Sequence, residues 1–461
     1  MARDLTTGSP MRLIWSFALP TLFGMLFQQF YNMMDTMIVG QLLGASALAS
    51  VGSTSSINFF VIGFCMGVCN GFAIPVAQRM GAGDYSQMRR CVANAGWLSA
   101  LFAVVLTVFT GLFCRTILTV MRTPEDIFDG AYWYILIIFL GIPTTFLYNL
   151  LAAVIRALGD SKTPVYFLAI SSVLNIALDL LLILYCHAGV AGAALATVLS
   201  QMASCAFVLL SLRRKRMPVR LRWGGFSWRI MRRVLAFGLS PFLIIATDSI
   251  LLIVLNTVLQ RYGGPELGDT LVTCATIVQS YLLLITMPMG GLTLGSQPVV
   301  SFNYGAANLE RIKRAIQSIV ALCVTFCVLM TVVTHTLSPV FVGLFTQNPE
   351  VAARSVRYIK VFTAMIIPLA IQYPLVDETT ALGHVRLALF CSIFRKCVFL
   401  AGLLLLPALV SPEATFLSEP IADVVAATVT TCLFLHFFPK ILAQRAARKR
   451  EEREEQPKVA P

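Results

Sequence analysis

The chain has 461 residues, 57% of them apolar and only 12% charged, with 35 basic against 22 acidic residues and a net charge of +13. Soluble proteins run at about 45–50% apolar and about 25% charged, and a soluble chain of this length has too few charges to cover so much apolar surface. An ordinary cytosolic enzyme, a disordered chain and a nucleic-acid binder are thereby excluded, and lipid bilayer is the natural solvent.

A spanning helix needs about 20 mostly apolar residues. Twelve such stretches are expected: 12–38, 50–77, 92–113, 131–155, 164–185 and 189–212, then 234–259, 270–300, 315–337, 358–380, 385–408 and 417–438. No gap between them holds a globular domain. The longest, 213–233, is basic from Arg213-Arg214-Lys215-Arg216 through Arg232-Arg233. The expected organisation is a six-helix lobe over 1–212, a basic cytoplasmic linker over 213–233, a second six-helix lobe over 234–440 and a charged cytoplasmic tail over 441–461. The first apolar stretch is too long for a signal-peptide core and lacks a small-residue cleavage site, so it is expected to remain as a span.

Cytoplasmic loops carry the excess of Lys and Arg. With both termini cytoplasmic, external loops hold Arg115, Arg122, Arg261, Arg354, Arg357 and Lys360, while Arg395 and Lys396 fall within a span. That leaves 27 of the 35 basic residues inside. The opposite orientation places those 27 outside and is rejected. The external cluster Arg354–Lys360 reads as a short interfacial helix. The twelve cysteines are scattered without a C-x-x-C and read as small buried hydrophobes, not as metal ligands or disulfides.

Three anchors recur across the linker. Phe17-Ala18-Leu19-Pro20 returns as Phe237-Gly238-Leu239-Ser240-Pro241. Pro75-Val76 followed by Gly81-Ala82 returns as Pro298-Val299 followed by Gly305-Ala306, and Ala157-Leu158-Gly159 returns as Ala381-Leu382-Gly383. The offsets are 221, 224 and 224, as expected of a duplicated bundle. Six spans bring each half back to its starting side, so the halves are expected to be parallel repeats about a pseudo-two-fold axis along the membrane normal. Transporters built this way place substrate near the midplane between the repeats. Prolines within spans (Pro20, Pro75, Pro143, Pro241, Pro288, Pro298, Pro368, Pro374) can kink helices. Pro20, with its repeat mate Pro241, is the candidate hinge. Gly290-Gly291, followed by Gly295, invites a break or close packing.

No phosphate loop, H-E-x-x-H or G-x-S-x-G is present, so neither ATP as a direct energy source nor a catalytic site is expected. The informative residues are ionisable groups at membrane depth, which are expensive there: Asp35, Asp179, Asp248, Asp377, Glu378, Asp423, Arg395 and Lys396. Asn175 and Asp179 are four apart and share a helix face, as do Ala193 and Thr197. If these helices meet the one carrying Asp35, two carboxylates, an amide oxygen and a hydroxyl converge. Such a set suits a hard cation, or a proton shared between repelling carboxylates; the plainer alternative is two isolated, capped acids. Asp377 and Glu378 are expected to pair with Arg395 or Lys396 as a structural ion pair. Asp248 is the candidate acid of a substrate cavity, with Gln28, Tyr31 and Asn149 as further lining. The 31 Phe and 17 Met residues mostly pack the core and face lipid, while suiting promiscuous binding where they line a cavity.

Three segments carry a family resemblance. Phe30-Tyr31-Asn32-Met33-Met34-Asp35 through Gly40, Pro75-Val76-Ala77-Gln78-Arg79-Met80-Gly81-Ala82-Gly83, and Arg156-Ala157-Leu158-Gly159-Asp160-Ser161-Lys162-Thr163-Pro164 resemble signature elements of the multidrug and toxic compound extrusion (MATE) family, and the likeness extends over nearly the whole chain. It implies an all-α membrane protein of twelve transmembrane helices in two bundles. It also implies drug/cation antiport, with Asp35, Asn175, Asp179 and Thr197 as an N-lobe cation site. The helix 7 glutamate of another MATE branch has no clear match here, although Asp248 lies nearby. The expected activity is secondary export of amphipathic, often cationic, organic compounds against Na+ or H+ by a monomer in the cell membrane, with no cofactor. The competing expectations are a flippase for a lipid-linked precursor and, more remotely, a channel, for which no filter-like segment exists.

Overall fold

The structure is a computed structural model and describes residues 4–121, 123–212 and 225–455. Arg122, the linker run 213–224 and the tail beyond Glu455 lie outside those residues. The helices in chain order are α1 Pro10–Leu43, α2 Ala45–Gly81, α3 Tyr85–Leu112, α4 Cys114–Val120, α5 Glu125–Leu140, α6 Ile142–Ala157, α7 Lys162–Leu180, α8 Gly189–Leu212, α9 Trp228–Ala306, α10 Leu309–Gly343, α11 Pro349–Phe362, α12 Ile366–Ala381, α13 Val385–Leu409 and α14 Ser418–Glu455. No strand occurs among the described residues.

The twelve expected spans are all present. Helix α9 is two of them, Trp228–Pro265 and Leu267–Ala306, turning at Gly264 where φ is 65°. Ten helices are each long and apolar enough to cross a bilayer, and two more spans are bent pairs, α5 with α6 at 45° and α11 with α12 at 53°. The first bend falls at Gly141, where a Cβ would stand 2.5 Å from Val198 Cγ2 of α8. Proline in the first turn of α6 lacks only an N–H that the helix start leaves unused. The second bend, at Thr363–Met365, separates α11 from α12. Helix α11 is the short helix expected around Arg354–Lys360, and its start is capped by Asn348 Oδ1, which accepts from Glu350 N and Val351 N. The break invited by Gly290-Gly291 does not occur: the span Leu267–Ala306 runs through both.

The described chain forms two units, one built mainly from Leu19–Ile245 and the other from Thr6–Ala18 with Ala246 onward. The first unit packs α2 against α3, α5 and α6, and α8 against α5 and α7. Its core includes Val68, Phe72, Met88, Phe139 and Phe146, all almost fully buried. The second packs α14 against α12 and α13, and α10 against α12, around Tyr281, Ile285, Ile319, Phe362 and Phe416. Leu101, Val104, Val105, Val108 and Leu112 of α3 are exposed, as a lipid-facing stripe must be.

The unit boundaries do not coincide with the linker. Each unit includes the first turns of a helix that continues in the other. Residues Phe237 and Gly238 of α9 press on Gly71 of α2 so closely that a Cβ there would stand 2.7 Å from Gly238 Cα. In the second unit, a Cβ on Gly295 would stand 2.6 Å from Ala18 Cα of α1. Gly71 and Gly295 are 224 residues apart, the offset of the repeat.

The duplication extends to single hydrogen bonds. Ser50 Oγ donates to Ile127 O at 3.2 Å and Cys274 Sγ to Val351 O at 3.8 Å, each bridging 77 residues, with both partners 224 residues apart. Asp84 and Asn308 occupy the same preceding position at the starts of α3 and α10.

Candidate cation-binding site

Spacing on α1 sets Gln28, Tyr31 and Asp35 on one face, three and four residues apart. Helix α7 brings Asn175 and Asp179 to one face, and α8, packed on α7, carries Thr197. Asn175 and Asp179 are fully buried and Asp35 is 7% exposed. The Asp35 carboxyl lies within side-chain reach of the Asp179 carboxyl and of the Tyr134 hydroxyl from α5. The Tyr31 hydroxyl reaches Thr197. Oriented to satisfy its neighbours, Asn175 donates from Nδ2 to Asp179 Oδ2 at 3.1 Å and accepts at Oδ1 from Thr197 N at 3.3 Å. Thr197 Oγ1 donates to Ala193 O at 3.2 Å, within its own helix. Asp35 Oδ1 and Asp179 Oδ1 have no hydrogen-bond partner. Immediately beyond Asp179, Leu181–Tyr185 widens into a π-helical turn, a deformation frequent at functional sites.

The four residues singled out for this site thus meet. Tyr134 joins the site without a distinctive mark in the sequence: it is one of two phenols, with Tyr132, at the start of the apolar run of α5, and only packing shows where it points.

The candidate cavity residues divide between the units. Gln28, Tyr31 and Asn149 lie in the first and are partly buried. Asn149 Nδ2 donates to Thr145 O at 2.9 Å, one turn back on its own helix. Asp248 lies in the second unit, where its exposed carboxylate meets Lys396 Nζ at 2.8 Å. Pro20 sits two residues past Ala18, where α1 passes from one unit to the other; α1 continues through it unbroken.

The expected pairing of Asp377 and Glu378 with Arg395 and Lys396 is corrected. Helix α13 packs on α14, so Arg395 bridges Glu419 and Asp423, with Nη2 2.8 Å from Asp423 Oδ1. Lys396 takes Asp248. Glu378 instead accepts from Ser296 Oγ at 2.6 Å. Glu419, which the sequence reading passes over, lies in the first turn of α14, at the edge of the expected span 417–438.

Comparison with known proteins places this chain in a family. The MatE family profile matches residues 20–181 and 245–405, one segment in each half. The probable multidrug resistance protein YoeA of Bacillus subtilis is 28% identical over 305 residues, 65% of this chain and 66% of that protein. The multidrug export protein MepA of Staphylococcus haemolyticus is 24% identical over 94% of this chain and 93% of its own length. A solved structure described as MATE in the bent conformation superposes with a TM-score of 0.89 at 22% identity, covering 96% of this chain and 98% of that one. With its duplicated helices and a family match in both halves, the chain belongs to the MatE family of multidrug efflux transporters.

Proposed function

We propose that this protein is a secondary antiporter that exports amphipathic, often cationic, organic compounds in exchange for Na+ or H+. It works as a monomer in the cell membrane, with both termini cytoplasmic, by rocker-switch alternating access. It needs no resident cofactor and no nucleic-acid partner.

The Asp35–Asp179 pair carries this reading: two carboxylates buried at membrane depth, each with an oxygen that no protein donor meets. Two such charges side by side are costly without a partner. A cation or proton entering between them removes much of that cost. Asn175 can serve either ion. Its amide NH2 donates to Asp179 in the orientation described above; turned over, its oxygen joins the carboxylates in an all-oxygen set for Na+. Each positive charge that enters draws about 2.3 kcal/mol from every 100 mV of membrane potential. For exchange, the ion and the organic compound must favour opposite states of the transporter. The flippase alternative is weakened because Arg395 and Lys396, the deep basic residues, already face carboxylates.

Ethidium efflux from vesicles, driven separately by a Na+ and by a proton gradient, tests the proposal. One gradient drives efflux, and Asp35→Asn or Asp179→Asn abolishes the drive. Full export in both variants removes these residues from coupling. Absence of efflux under either gradient, with the protein in the membrane, favours a narrow-substrate exporter or the lipid flippase.

A further inference from the structure

We propose that the cleft between α2, α3 and the start of α9 is a binding site for the headgroup of an anionic phospholipid in the cytoplasmic leaflet. The side of the membrane rests on the orientation proposed above; the chemistry does not.

Gln78 and Arg79 of α2, Gln87 of α3 and Arg233 of α9 line the cleft. Two guanidinium groups and two amides form a donor set suited to a phosphate diester, since the planar guanidinium matches phosphate oxygens in pairs. The exposed side chains of Arg89 and Arg90 on α3 and of Arg229 and Arg232 on α9 follow in the same elements. From 225 to 233 the described chain holds three basic residues and no acid. Asp84 opposes this charge: it lies 3.6 Å from Arg79, while it also caps α3 by accepting from Gln87 N at 2.9 Å. The balance stays strongly positive.

Two further features distinguish a lipid from a soluble anion. Phe226 and Trp228, four and two residues before Ile230 of the cleft lining, are 64% and 62% exposed; large aromatics favour the membrane interface, with ring in lipid and polar edge at headgroup level. The segment that carries them is also fixed. Asn94 of α3, fully buried, donates from Nδ2 to Gly225 O at 3.1 Å and accepts at Oδ1 from Ser227 N at 3.1 Å. A buried amide thereby pins residues 225–227 to α3, and holds the aromatic pair and the first arginines of α9 at one depth. Basic pockets between transmembrane helices on the cytoplasmic side bind acidic lipid headgroups by this combination of charge and interfacial anchoring.

The test is lipid binding to the purified full-length protein in neutral detergent, read by native mass spectrometry with phosphatidylglycerol and phosphatidylcholine. Phosphatidylglycerol binds in preference, and Arg79→Gln with Arg233→Gln weakens it about tenfold or more, as expected for two interfacial charges. Arg79→Lys with Arg233→Lys keeps most of the binding, and Arg261→Gln, in an external loop by the same orientation, leaves it unchanged. The melting temperature of lipid-free protein checks that the double variant is folded. Equal binding of the two lipids, or undiminished phosphatidylglycerol binding in the folded double glutamine variant, overturns the proposal. So does full displacement by millimolar inorganic phosphate, which identifies the ligand as a free anion. Thiol labelling of Ser227→Cys in intact cells reports the side independently. An external label with lipid selectivity intact retains the site chemistry and overturns its cytoplasmic placement.

Discussion

Ala307 makes, with a side chain, the turn that Gly83 makes without one. The two lie 224 residues apart, just past the ends of α9 and α2, with φ of 54° and 74°. Gly83 N donates to Met80 O and Ala307 N to Tyr304 O, both at 3.1 Å; the following amides of Asp84 and Asn308 reach back to Arg79 O and Asn303 O. This is the paired hydrogen bonding that ends a helix in the left-handed region. A Cβ in that region costs about 1–2 kcal/mol, while glycine's extra freedom in the unfolded chain offsets part of the relief. Ala307→Gly is therefore expected to stabilise the protein by about 0.5–1 kcal/mol and Gly83→Ala to destabilise it similarly. Thermal unfolding midpoints in detergent check both signs.

Asn175→Ala separates the two coupling ions. A proton needs only the carboxylates, whereas Na+ loses an amide oxygen. Under a Na+ gradient the half-saturating Na+ concentration is expected to rise about tenfold, the scale of one hydrogen bond or ligand to a charged partner. Under a proton gradient the effect is expected to be smaller, because Asn175 then acts only through its hydrogen bond to Asp179 and is no ligand of the proton itself. Ion titrations of ethidium efflux from vesicles make the comparison.

Arg395 neutralises two acids of α14 at once. Arg395→Leu leaves Glu419 and Asp423, both nearly inaccessible, without their cation. Removing one partner of a buried pair costs about 3–5 kcal/mol. Adding Glu419→Gln and Asp423→Asn to Arg395→Leu is expected to recover most of that loss. Unfolding of the single and triple variants measures the recovery; a triple variant no better than the single would show that packing, not charge, dominates.

The spans were legible in the sequence because length and hydropathy alone decide what crosses a bilayer, and the duplication was legible because Pro20, Gly81 and Ala157 recur at nearly one offset. The pairing of Asn175 with Asp179 followed from helix periodicity. Less visible were features set by neighbours distant in sequence. Gly141 lies at the break of its span, where Val198 leaves no room for a Cβ and Pro143 follows in the first turn of α6, whereas Gly290-Gly291 does not break its own. Arg395 chose Glu419 and Asp423 over the nearer-seeming Asp377 and Glu378 because α13 turns that face to α14, a matter of helix packing that no spacing within one segment encodes.

Gly71→Ala and Gly295→Ala test the tight crossings within each unit. The added methyl meets the Phe237 carbonyl and Gly238 backbone in one unit and the Ala18 backbone in the other. Backbone cannot swing aside as a side chain can, so each substitution is expected to cost about 1–3 kcal/mol. Melting temperatures report the cost. Gly52→Ala, in the same helix as Gly71 with open space around it, is expected to leave stability within about 0.5 kcal/mol, as open positions do.

The exchange of first turns has a consequence for how the protein is made. Residues up to Ile245 belong with the first unit, yet Trp228–Ile245 leaves the ribosome only after six spans and the linker. The first unit therefore stays unfinished, with Gly71 uncovered, through the synthesis of its own half. The second unit waits for nothing comparable: its borrowed segment, Thr6–Ala18, precedes the rest of it in the chain. Completion of the first bundle is thereby tied to arrival of the second, and a nascent chain halted in the linker would leave in the membrane six helices lacking their closing piece.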